Sequence, residues 1–194
     1  MYISEAMSDK ISYNHLSSEE AEPERFTTHC HDRCELIFLI RGDVSYIAEG
    51  RTYDLKGGDI VLSRPSVMHR ILPRSRSGYE RYDVIINEKL LPPEIWERLK
   101  HGRDVYSCQN NGRIFDLFSK LDFYYPLFPE EEYAHLVFNI MEEVFYNLTL
   151  SDTDATRADT NQLIDAAIAY IRDNLVTIKD VEEVSSALYI TKSH

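Results

Sequence analysis

The sequence predicts an α+β chain: a β-barrel, then a helical segment, then the start of a second helical domain. Three observations carry this. From Arg25 to about Asn87, short apolar runs alternate with turn residues at a spacing of roughly eight to ten residues, the texture of a sandwich or barrel. After Asn87 the apolar period lengthens to that of helices. A polar stretch, residues 151–160, then separates two further amphipathic segments from what precedes them. The expected organisation is a barrel over 1–87, helices packed on it over 88–150, a linker over 151–160, and an incomplete helical domain over 161–194.

Composition narrows the function classes. The 194 residues suffice for one large domain, or one domain with a piece of another. The net charge of −12 repels phosphate backbones unless positive charge is clustered. The nearest approach to a cluster is Arg64, Arg70, Arg74 and Arg76, which suits a small anionic ligand or solvent better, so this stretch is expected to bind nucleic acid poorly. No apolar run reaches membrane-spanning length, and MYISEAMSDK has no basic segment followed by an apolar one. The expectation is a cytoplasmic protein with no membrane partner. Cys30, Cys34 and Cys108 follow neither a zinc-knuckle nor a disulfide spacing and read as reduced thiols.

In chain order, residues 1–24 are polar with few core candidates, and EEAEPER reads as an exposed loop. CELIFLI is apolar at both strand parities, so its strand is expected to be covered on both faces. SYIAEGRTYDL reads as a hairpin turning at Glu49-Gly50. EKLLPPEIWERL opens the helices, with Pro92 and Pro93 in the first turn, where a missing N–H costs least. Ile114, Leu117, Phe118 and Leu121 share one helix face, and Pro126 and Pro129 end that helix. The strongest helix begins at the acidic Glu130-Glu131-Glu132 and carries a stripe of Tyr133, Leu136, Val137, Ile140, Val144 and Leu148. Beyond the linker, Leu163, Ala167, Ile168 and Ile171 mark one helix, and Val181, Val184 and Leu188 a second, with Thr177 or Asp180 as its N-cap. Ile190-Thr191 begins a turn, and the sequence is expected to stop at His194 inside this domain.

The chemistry concentrates between His29 and His69. His29 and His31 stand two apart, Glu35 follows, and a turn at Gly57-Gly58-Asp59 leads through Pro65 to His69. Three imidazoles and a carboxylate are the ligand types of a divalent transition metal: Zn, Ni, Fe or Mn. The alternative is that they line a barrel cavity and hydrogen-bond to a ligand or to backbone.

These residues carry a resemblance. HCHDRCELIFLIRG, then Gly50, KGGDIVLSRPSVMH and YERYDVIIN, resemble the N-terminal cupin-type domain of AraC/XylS transcriptional regulators. IDAAIAYIRDNLVTIKDVEEVSSALYITKSH resembles the opening of that family's DNA-binding domain. The first half fits the pattern His-x-His-x3-Glu-x6-Gly, while the Pro65–His69 interval is one residue shorter than usual and lacks its glycine.

The resemblance implies a cupin-like barrel, or double-stranded β-helix, that senses a small-molecule effector such as a sugar or organic acid. It also implies a homodimer and contact with DNA only through the full-length protein's C-terminal helix-turn-helix domain. The recognition helices lie beyond His194, so no base-reading residue is assigned. The expected ligand-binding set is His29, His31, Glu35, Arg41, Tyr46, Tyr53, Arg64, His69 and Tyr82. Tyr and Arg suit hydroxylated or anionic molecules through ring faces and donors. The stripe Leu136, Ile140, Val144 and Leu148 is either core or a self-complementary dimer surface, and the family's use of helices here favours the dimer. No catalytic triad or phosphate-cradling loop is present, so the chain is not expected to be an enzyme. The competing reading is a metal-dependent cupin enzyme, a dioxygenase or isomerase.

Overall fold

The computed structural model describes residues 1–21, 24, 26–151, 170, 171, 174 and 177–187. The chain divides into two units, Met1–Asp154 and Ala155–His194. The first holds strands β1 (Tyr2–Met7), β2 (Ile11–Ser18), β3 (Cys34–Arg41), β4 (Val44–Ala48), β5 (Arg51–Leu55), β6 (Asp59–Ser63), β7 (His69–Pro73), β8 (Tyr79–Ile86) and β9 (Val105–Ser107). Its helices are α1 (Pro93–Leu99), α2 (Gly112–Tyr124) and α3 (Glu130–Ser151).

All strand pairs are antiparallel. A six-stranded sheet runs β1-β2-β8-β3-β6-β9, and a three-stranded sheet runs β5-β4-β7. The sheets close over an apolar cluster that includes Ile37, Leu39 and Val61 from the large sheet and Val44, Tyr46 and Ile71 from the small one. The other face of the large sheet presents Leu36, Phe38, Leu62, Tyr82 and Val84 to Leu117, Phe118, Val137 and Val144 of the helices. The large sheet is thus covered on both sides. CELIFLI is apolar at both parities for this reason, and the fold is α+β with a cupin-like barrel ahead of its helices.

Several local expectations are met. The β4–β5 hairpin turns at Glu49 and Gly50, which have φ of 46° and 79°, as a two-residue turn with both central residues left-handed demands. Pro93 is the first residue of α1. In α2, Ile114, Leu117, Phe118 and Leu121 are buried, and Asn111 caps the helix by accepting from the Ile114 N–H.

Others need correction. Residues 2–7 and 11–18 supply more of the core than their polarity suggests: they form β1 and β2, with Ile11 and Tyr13 in the core and Ser4 and His15 buried beside them. Their burial escaped hydropathy because hydrogen bonds, not apolarity, satisfy Ser4 and His15. Within 88–150, Val105–Ser107 adds an edge strand to the large sheet beside β6. On α3, Val144 and Leu148 are fully buried and Ile140 nearly so, all in this chain's own core, with Leu136 half-buried against it. The stripe is therefore consumed internally, which corrects its reading as a dimer surface. Cys34 and Cys108 are buried free thiols, and Cys30 is exposed.

In the second unit, α4 (Val181–Ala187) begins at Asp180, whose carboxylate accepts from the Glu183 N–H at 2.9 Å. Thr177 instead donates to the Asn174 carbonyl. Val184 is buried but Val181 is exposed, so only one of the two marks an apolar face. The linker Asp152–Thr160, the helix positions Leu163, Ala167 and Ile168, and Leu188 to His194 lie outside the described residues. No helix among the described residues is long and apolar enough to cross a membrane.

Candidate functional site

Four side chains meet at one end of the barrel. Glu35 lies on β3, His69 opens β7, and His29 and His31 sit on the connection between β2 and β3. His29 pairs with His69 through an isolated antiparallel bridge, with both reciprocal backbone hydrogen bonds formed, at 3.0 and 2.9 Å. The Ser66 N–H donates to the His31 carbonyl, and Ser66 holds φ of 65°. A serine in the left-handed region thus does the work of the missing glycine, and the shorter Pro65–His69 interval still delivers His69 to the cluster. The imidazole centroids stand 4.6 Å apart for His29 and His69, 5.2 Å for His31 and His69, and 5.9 Å for His29 and His31.

The hydrogen bonds assign the tautomers. Nδ1 of His29 faces the Thr27 carbonyl at 3.0 Å, Nδ1 of His31 the Arg33 carbonyl at 2.7 Å, and Nδ1 of His69 the Val67 carbonyl at 2.8 Å. A carbonyl only accepts, so each Nδ1 carries a hydrogen and each Nε2 is left as the donor atom for a ligand. Nε2 of His69 lies 2.6 Å from Glu35 Oε2. Nε2 of His31 lies 3.6 Å from the same oxygen and is buried with no hydrogen-bond partner. Among the described residues, His29, His31, Glu35 and His69 offer ligand atoms all within 4.8 Å of one another. Burial pushes the Glu35 carboxyl up, but the facing imidazoles of His31 and His69 outweigh it and hold the group well below the usual carboxylate range.

This arrangement fits a divalent cation. Carbonyls that fix the far nitrogens are the usual outer support of histidine ligands, and an orphaned buried Nε2 is the group such an ion satisfies. His29, His31, His69 and Glu35 would hold it.

The rest of the expected ligand set disperses. Tyr46 is on the barrel's inner face, with its ring 6.2 Å from that of His69 and its hydroxyl bonded to Ser63. Tyr53 is its cross-strand neighbour, with stacked rings 6.0 Å apart, and donates to Asp104. Tyr82 is on the opposite face of β8, packed 3.8 Å from His15 and donating to Asp122. Arg64 turns away from the interior and bonds the Leu62, Leu99 and Arg103 carbonyls and Asp104. Arg41 is exposed and pairs loosely with Glu80. Tyr82, Arg64 and Arg41 are therefore corrected as barrel-lining residues. The inner face of β8 instead presents Tyr79, Arg81 and Asp83, and Arg81 and Asp83 were missed. In register, Arg81 stands opposite Leu39 and Asp83 opposite Ile37, on the face that Glu35 shares. Burial pushes the Asp83 carboxyl up to about 7 despite Arg81 beside it.

Residues 16–121 match the AraC-like ligand binding domain family. No curated protein matches the sequence. Among solved structures, apo ToxT from Vibrio cholerae is 8% identical and aligns over 97% of this chain and 73% of its own, with a TM-score of 0.52, a likeness of fold alone. A cupin superfamily protein from Desulfitobacterium hafniense is 14% identical over 45% of this chain and 76% of that one, with a TM-score of 0.39. An RmlC-like cupin with a double-stranded β-helix fold from Methanocaldococcus jannaschii is 17% identical over 45% and 79% respectively, also with a TM-score of 0.39.

Proposed function

This chain belongs to the AraC-like ligand binding domain family, and from that premise we propose that it is the effector-sensing region of a DNA-binding transcription regulator. The observation that carries the reading is the convergence of His29, His31, His69 and Glu35 at the barrel end, with each imidazole locked by a backbone carbonyl. Such a cluster offers a small molecule, or a divalent ion (Zn, Ni, Fe or Mn) with a small molecule on it, a fixed set of donors. Binding there favours whichever arrangement of barrel and helices the bound molecule contacts best. DNA contact falls to the helix-turn-helix domain whose opening the C-terminal segment resembles. Pairing of two copies belongs to the same proposal, through a surface other than the buried Ile140–Leu148 stripe.

Elemental analysis of the purified chain and thermal-shift screening with sugars and organic acids test this. A ligand at a hundred times its Kd adds about 2.7 kcal/mol to stability by mass action. Silence across both assays removes the reading.

The His/Glu group also favours a second reading, a metal-dependent cupin enzyme. Substrate turnover that disappears in His31→Ala installs it. Stoichiometric metal with a thermal response to ligand and no turnover retains the sensor.

A further inference from the structure

A groove lined by none of the four cluster residues lies between the β1–β2 turn and the first turns of α3, with a volume of about 440 Å³. Its apolar side is Met7, Ala134 and the Phe138 ring. Ala134 is buried and Phe138 packs half-buried against the core, while Met7 is 70% exposed. A flexible thioether beside a ring is an adaptable apolar contact with nothing of this chain laid over it.

Charge surrounds that floor unevenly. The β1–β2 turn adds Asp9 and Lys10, and the first turn of α3 adds Glu130 and Glu131. Three carboxylates thus share the groove with one ammonium and the His135 imidazole. Lys10 does not neutralise them: its Nζ stands over the Phe138 ring, 5.8 Å from the centroid. Among the described residues, none of Asp9, Glu130 and Glu131 has an ion-pair partner. The helix dipole explains why glutamates open α3, but their exposed carboxylates stay available to a partner.

Complementarity selects the occupant. A nucleic acid or an anionic membrane is repelled, and a second copy brings its own net charge of −12. A small monovalent cation gains little, because single exposed ion pairs are weak against solvent. A segment with several basic side chains sums those pairs and can seat an apolar side chain on the floor. Met7 also ends β1, an edge strand that pairs in its sheet with β2 alone, so an extended segment meets free backbone there.

We propose that this groove docks a basic segment of a partner protein, with an apolar side chain seated between Met7 and Phe138 and flanking lysines or arginines set against Asp9, Glu130 and Glu131. The proposal uses no residue of the His/Glu cluster and is independent of the sensor reading.

Fluorescence anisotropy of the whole chain with a labelled heptapeptide, KFKLKFK, tests it at about 0.15 M ionic strength. The control peptides are KSKSKSK, which lacks the apolar anchors, and EFELEFE, which lacks the positive charge. KFKLKFK is expected to bind, and each control at least tenfold more weakly. Met7→Ser is expected to weaken KFKLKFK at least fivefold, and Glu130→Lys with Glu131→Lys at least tenfold. Glu19→Lys with Glu20→Lys makes the same change in net charge just past the other end of β2, and is expected to bind as the wild type does. Glutamine pairs at the same positions decide the matter if the lysine variants do not fold. Equal weakening by both pairs reduces the binding to attraction by net charge and overturns the proposal. KSKSKSK binding as tightly as KFKLKFK overturns it too, as does a wild-type chain that binds neither. Self-association in sedimentation that Met7→Ser abolishes gives the groove to a second copy and overturns the partner assignment.

Discussion

Nε2 of His69 lies 2.6 Å from Oε2 of Glu35, and the opposite nitrogen of the same ring is spent on the Val67 carbonyl. A bare nitrogen lone pair repels a carboxylate oxygen at that distance, so the contact is made through a hydrogen shared between the two atoms, the place a bound divalent ion would take over once the pair moved apart. Both side chains are almost wholly buried. His69→Ala leaves the carboxylate without its closest partner, and loss of one member of a buried pair costs about 3–5 kcal/mol. The variant is expected to lose that amount of unfolding free energy in urea titrations, seen as a lowered midpoint, and to lose bound divalent metal. An unchanged midpoint with full metal content refutes the pairing.

Asp122 on α2 ties the helices to the large sheet. It accepts from the Ser4 hydroxyl at 2.6 Å, the Tyr82 hydroxyl at 2.7 Å and His15 Nδ1 at 3.0 Å. Burial alone pushes its carboxyl up, but these hydrogen bonds outweigh it, and the folded-state pKa is lowered. A folded value below the unfolded one stabilises the native state above the ordinary carboxylate pKa of about 3.9, and that contribution fades as pH falls through the folded value. Asp122→Asn is expected to cost roughly 2 kcal/mol at neutral pH. The gap between variant and wild type should shrink on acidification from pH 5 downward. A gap constant to pH 2, by denaturant melts, contradicts the argument.

How far the sequence could be read depended on whether a position is decided by apolarity or by partners. CELIFLI declared a strand covered on both faces, and β3 is one. The types and spacing of His29, His31, Glu35 and His69 sufficed to group them without any knowledge of how Ser66 turns the chain. The inner face of β8 was not legible. Tyr82, Val84 and Ile86 face the helices while Tyr79, Arg81 and Asp83 face the barrel, and with both faces buried, periodicity does not say which is which. The chemistry of Tyr82 suits a ligand site, but its parity on β8 turns it to the helices. The first two strands were hidden because Ser4 and His15 are core positions satisfied by Asp122, 118 and 107 residues away in sequence.

Burial of the α3 stripe has a direct consequence. Val144 and Leu148 have no exposed surface, and both pack in the cluster that joins helices to sheet. Leu148→Ala is expected to cost about 2–5 kcal/mol, as cavity-forming core substitutions do. The oligomeric state by sedimentation should stay that of the wild type at every concentration where the variant is folded. A monomer produced at unchanged melting temperature would return the stripe to an interface.

Arg64 was expected to line the barrel, and its position assigns it other work. It is buried, with Nε and Nη2 donating to the Leu99 carbonyl at 3.1 and 2.8 Å and Nη2 also to the Arg103 carbonyl at 2.6 Å. Nη1 donates to the Leu62 carbonyl at 3.1 Å and pairs with Asp104. Leu99 ends α1, so its carbonyl lies at the negative end of the helix dipole, where a cation is favoured. One side chain thus joins the end of β6, the last turn of α1 and the segment leading into β9. Arg64→Met matches the length but leaves these carbonyls and Asp104 unpaired, and is expected to cost about 3–5 kcal/mol. Arg64→Lys supplies charge without the fork and should recover only part of the loss. In either variant that remains folded, metal content and ligand affinity should equal those of the wild type, because no donor of the His/Glu cluster touches Arg64. Lost ligand affinity at wild-type stability would restore Arg64 to the site.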